Sequence, residues 1–159
     1  MCSLMTLVFL FSATIAKSGL PADFPLADKV REKLASGFYT TVECKVSNTG
    51  VITGKASLSN QHALLGYGAM WVVILSDKDG NVLWCSKLDR HTIGVGGISG
   101  EKSSKVFKYE FPKALVDEVG NVDIGLSRYE KNPWKTIMAH LEKTKEAAQK
   151  VQDILKLFN

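Results

Sequence analysis

Three cysteines, four prolines and the lack of any run of five like charges are the shortages in this sequence, and each removes a class of protein. So few cysteines cannot staple a disulfide-dense scaffold. The fold must rest on an apolar core instead, and 159 residues with 45% apolar and 23% charged side chains supply one within a single domain. Charge is nearly balanced: 20 Lys and Arg against 16 Asp and Glu leave +4, spread along the chain. No segment clusters cations beside aromatic platforms, so nucleic acid is not an expected partner.

Catalytic and cofactor signatures are missing as well. His62, His91 and His140 lie in different segments without HxH or HExxH spacing, so no metal site is expected. There is no G-x-S-x-G elbow, Walker loop or facing carboxylate pair. Cys85, Asp89 and His91 offer a nucleophile, an acid and a base, but neighbouring strand residues alternate faces and need not converge. Asp77-Lys78-Asp79-Gly80-Asn81 resembles the start of a calcium loop, yet Leu88 stands where the bidentate Glu belongs, and the segment reads as a hairpin turn. Gly94-Val95-Gly96-Gly97-Ile98-Ser99-Gly100 has a GxGxxG-like spacing with no βαβ unit around it, which leaves a loop. The expectation is a protein without catalytic residues, cofactor or metal.

Long apolar runs are scarce too. Residues 1–16 carry no charge but fall short of the roughly 20 apolar residues that span a bilayer. They read as a signal peptide cleaved before Lys17, although no basic n-region precedes the run; a first strand or buried helix of the domain is the rival reading. Cleavage implies a secreted protein and removes Cys2, which leaves Cys44 and Cys85 as a possible disulfide. Two buried thiols in a reducing compartment are the alternative.

What is present is strand patterning. Phe38 to Val46 alternates apolar and polar residues, Asn48-Thr49-Gly50 turns the chain, and Val51 to Asn60 returns. Ala69 to Leu75 is a continuous apolar run of the kind covered on both faces. Val82 to Leu88, Val106 to Phe111 and Val122 to Leu126 complete six strands, which predicts a mainly β fold, an antiparallel sandwich or a curled sheet. Two helices are expected beside it. The first is a short lead-in over 17–36, because Leu26, Val30 and Leu34 recur every four residues and Gly37 stands where a helix would end.

The second is a long amphipathic helix over 133–158, opened by Pro133 and closing a domain that runs from 37 to 159. Its seam is Trp134, Ile137, Leu141, Val151, Leu155 and Phe158, with Thr144 and Ala148 between them. Packing on the protein's own sheet is the plainest use of that seam. Self-association is the next, and a membrane surface is disfavoured because the polar face sets five Lys against three acids.

Function is bounded rather than named. The expectation is a secreted, non-enzymatic binding module for a glycan, lipid or protein. It would use the loop that Asp89, Arg90 and His91 enter and that Gly94, Gly96 and Gly97 make pliant. Tyr39, Tyr67, Trp71, Trp84, Phe107 and Tyr109 are material for a ligand platform, though core filling explains most of them. One alternative is a carrier holding an apolar small molecule between a curved sheet and the C-terminal helix. Another is a subunit of a larger assembly docked through the helix seam.

Overall fold

A computed structural model describes residues 23–62, 64–95, 100–130, 133 and 135–137. Eight strands form two antiparallel sheets: β1 Leu26–Ala35, β2 Phe38–Val46, β3 Val51–Asn60, β4 Tyr67–Ser76, β5 Val82–Cys85, β6 Asp89–Ile93, β7 Glu101–Glu110 and β8 Asn121–Arg128. Sheet A has the order β1-β2-β3-β7. In sheet B, β4 pairs with β8 along one side and with β5 and β6, end to end, along the other. The mainly β, antiparallel class expected from the sequence is what forms.

The expected helix over 17–36 is a correction: its described part is the strand β1. A spacing of four residues satisfies a strand as well as a helix, since every even step returns to the same side of a strand. The residues between decide the matter. Exposed Ala27, Lys29, Arg31 and Lys33 alternate with half-buried Leu26, Asp28, Val30, Glu32 and Leu34. β2 lies antiparallel beside them from Leu26↔Val46 to Ala35↔Phe38. Gly37, with φ +72°, turns this hairpin rather than ending a helix. The predicted Val82–Leu88 strand stops at Cys85, and the other added strand, β6, forms from residues expected to enter the loop. Ser86 leaves the ladder, takes the Val73 N–H on its Oγ at 3.0 Å and returns its own N–H to the Val73 carbonyl at 2.8 Å. Pairing then resumes at Asp89 as β6.

The core lies between the sheets. Val42, Val46, Ile52, Ala56 and Leu58 from sheet A meet Trp71, Val73, Leu75, Ile124 and Leu126 from sheet B, all essentially inaccessible. Two side-chain latches join the sheets along their open edges. On one edge the Asp28 carboxylate of β1 accepts the Ile124 N–H of β8 at 3.0 Å. On the other, Asp89 of β6 accepts Lys105 Nζ at 2.5 Å and the Tyr109 hydroxyl at 3.0 Å, both from β7, while His91 and Ser103 are bonded at 2.9 Å.

The signal peptide expected at 1–16 lies outside the described residues, as does most of the helix expected at 133–158. Pro133, Lys135, Thr136 and Ile137 are helical, and Ile137 is fully buried with Val72 and Ile74 on the outer face of sheet B. Gly125 makes room for it: a Cβ there would stand 2.6 Å from Ile137 Cγ2.

Candidate functional site

Within the loop set expected to hold a ligand, the described residues Asp89, Arg90 and His91 do not turn to one side. Asp89, Arg90 and His91 are consecutive residues of a strand, so Asp89 and His91 turn inward to β7 while Arg90 turns outward. Arg90 donates to the Tyr129 hydroxyl at 3.0 Å and lies over the same ring. Burial works against ionising Asp89, but hydrogen bonds from Lys105, the Arg90 N–H and Tyr109, with the Lys105 charge, outweigh it and hold the carboxyl below its ordinary value. Burial first, then the Asp89 charge, pushes the Tyr109 hydroxyl up. This cluster, with the Trp71 indole beneath Lys105, is a filled seam rather than an open site. The Gly94 carbonyl accepts Asn60 Nδ2 at 2.7 Å; Gly96 and Gly97 lie outside the described residues.

The expected Cys44–Cys85 disulfide is also not formed, and both thiols are free. Cys44 belongs to the core between the sheets, whereas Cys85 packs with Val72 and Ile74 on the far side of sheet B. The sheet itself separates them. Burial, reinforced by the Asp28 charge, pushes the Cys44 thiol up to about 12, which makes it a poor nucleophile. Of the seam Trp134, Ile137, Leu141, Val151, Leu155 and Phe158, Ile137 covers the protein's own sheet at direct contact; the others are outside the described residues. Of the aromatics, Tyr67, Trp71, Phe107 and Tyr109 are core, Trp84 packs against it half-buried, and Tyr39 stays at the surface.

A different site comes from tertiary pairing. The outer face of sheet A collects every second residue of four strands, and the register arranges them in rows. Lys33, Tyr39, Ser59 and Lys102 make one row, and Arg31, Thr41, Ser57 and Ser104 the next. Lys29, Glu43, Lys55 and Val106 follow, then Ala27, Lys45, Thr53 and Lys108. Seven cations stand against two carboxylates, Glu43 and Glu110, so this face exceeds the +4 of the whole chain. Lys29 pairs with Glu43 and Lys108 with Glu110, each at 3.1 Å and well solvated. Among the described residues, Arg31, Lys45, Lys55 and Lys102 have no carboxylate within ion-pair distance.

Two grooves run over this face and share Lys55. The smaller, of about 340 Å³, is edged by Arg31, Lys55 and Lys102 and floored by Thr41, Ser57 and Ser104. The larger, of about 540 Å³, passes between Lys29, Lys45 and Val106. The sequence hid this face because its cations arrive singly, at alternate positions of strands distant along the chain. A search of each strand's polar side for one sign of charge would have found it. Among the described residues no group of three or more His, Cys, Asp and Glu side chains is placed to hold a metal ion. Comparison with protein-family models, curated proteins and solved structures finds no match, so the functional reading rests on these residues.

Proposed function

We propose that this protein is a non-enzymatic binding module that takes a polyanionic partner on the outer face of sheet A. The observation that carries the proposal is the set of seven exposed cations brought onto one face by four paired strands. Such a face concentrates an anionic partner by long-range attraction, and each cation that displaces a counterion adds to affinity in a salt-dependent way. The hydrogen-bonded scaffold holds the charges in fixed rows, which limits the ordering cost on binding. A secreted protein is compatible with this use, and the expected leader at 1–16 is the reason to place it there.

The test is binding to immobilised polyphosphate across a salt series. Arg31→Glu/Lys55→Glu/Lys102→Glu is expected to lower the steepness of the log–log salt dependence by about three and to weaken retention at least tenfold at low salt. Lys87→Glu/Arg128→Glu/Lys135→Glu makes the same change in net charge at exposed positions on or beside sheet B. It is expected to retain most of the binding. Equal loss in both variants would show a net-charge effect and sink the assignment of this face.

A further inference from the structure

We infer that the polyanion is a linear acidic polysaccharide, an inference that rests on the reading of the face given above. The smaller groove combines two kinds of group that such a polymer presents alternately. Its rim holds Arg31, Lys55 and Lys102, and Lys33 shares the row of Lys102. Its floor holds the hydroxyls of Thr41, Ser57 and Ser104, with Ser59 beside them. None of these four hydroxyls makes a side-chain hydrogen bond among the described residues. They are donors and acceptors free to meet sugar hydroxyls, while the rim meets carboxylate or sulfate.

Dimensions agree with an extended chain lying on the sheet. Adjacent strands are about 4.8 Å apart and successive rows about 6.8 Å, so the backbone positions of Arg31 on β1 and Lys102 on β7 stand roughly 16 Å apart across a polar floor. A phosphate polymer offers these hydroxyls only acceptors, whereas sugar hydroxyls use both their donor and their acceptor roles.

Nucleic acid fits less well. Single strands are held by stacking bases on aromatic rings, and Tyr39 is the one aromatic among the paired residues of this face. Its ring already carries Lys33 Nζ at 5.9 Å. Duplex DNA admits a helix or a two-stranded ribbon into its major groove, not a four-stranded sheet. A membrane surface would favour apolar side chains at the centre of the patch, where this face has hydroxyls instead.

The experiment measures affinity of the full chain for a sulfated heparin oligosaccharide and a carboxylated hyaluronate oligosaccharide. Polyphosphate, oligo-dT and phosphatidylserine vesicles serve as comparison probes. One of the two saccharides is expected to bind more tightly than all three comparison probes, and which one binds separates sulfate from carboxylate recognition. Ser57→Ala/Ser104→Ala is expected to weaken saccharide binding about tenfold with an unchanged salt slope, and to weaken polyphosphate binding severalfold less. Tighter binding of oligo-dT or vesicles, or equal effects of the serine variant on saccharide and polyphosphate, would overturn the polysaccharide assignment while the polyanion reading stood. Failure to bind any probe would remove both.

Discussion

The two sheets share one core but differ completely on their outer faces. Sheet A turns seven cations and a row of hydroxyls to solvent. Sheet B turns Val72 and Ile74 outward, flanked by half-buried Val82, Cys85 and Leu88, and covers them with Ile137. The difference follows from the strands. β1, β2, β3 and β7 alternate polar and apolar residues, so only one side of sheet A has to be covered. β4 is buried along nearly all its length and needs cover on both sides. Sheet A is therefore free to carry function on its outside, whereas the outside of sheet B is committed to stability.

If that contrast is right, a charge should be ruinous on one face and harmless on the other. Val72→Asp would bury an unpaired carboxylate beneath Ile137, at an expected cost of about 4 kcal/mol or more, enough to unfold much of the protein in urea titration. Lys55→Asp, the matching change on sheet A, should cost less than about 0.5 kcal/mol. Similar midpoints for the two variants would break the comparison. Next in size is the cover itself. Ile137→Ala should lower stability by about 2–4 kcal/mol, because it opens a cavity over Gly125 and Val72. Gly125→Val should cost about 1–3 kcal/mol by forcing Ile137 off the sheet.

The seam that joins the faces ranks below these. Asp89→Ala takes the carboxylate from Lys105 and the Tyr109 hydroxyl, leaving Lys105 only the Arg90 carbonyl and the Trp71 ring, and should cost about 1–3 kcal/mol near neutral pH. Because the folded carboxyl titrates below its ordinary value of 3.8, its contribution is complete above that pH. It should fade as pH falls through the lower folded value, so acid titration of stability should bring wild type and variant together. The smallest effect on folding is expected from Arg31→Glu/Lys55→Glu/Lys102→Glu. Exposed and without carboxylate partners among the described residues, these side chains should change stability by less than about 1 kcal/mol while binding to polyphosphate weakens at least tenfold. A large loss of stability in that variant would mean the face is structural after all.

Much of the fold was legible in the residues. The β2–β3 hairpin follows from alternation around Asn48-Thr49-Gly50, and β4 from its unbroken apolar run. Asp77 behaves as turn chemistry predicts, accepting the Asp79 and Asn81 N–H groups on Oδ1 at 2.9 and 2.8 Å. β1 was misread because Leu26, Val30 and Leu34 fit both periods, and the exposed cations between them carried the decisive signal. The break at Ser86 was invisible, since it depends on a backbone partner, Val73, in another strand. The candidate site was missed for the same reason. Lys33 and Lys102 stand 69 positions apart in the chain and share a row only through Tyr39 and Ser59.

By itself, the sequence determined which side chains are apolar, where the chain turns and therefore that short antiparallel strands would form around a core. Those are local consequences of periodicity and turn chemistry, acting over a few residues. Tertiary structure alone decided the register. Register placed Cys44 and Cys85 on opposite sides of sheet B, drew Asp89 into a seam and assembled seven scattered cations into one exposed face. The physical reason is that a strand fixes only which of two sides a residue takes. Its neighbours across the sheet are chosen by pairing between segments far apart in the chain.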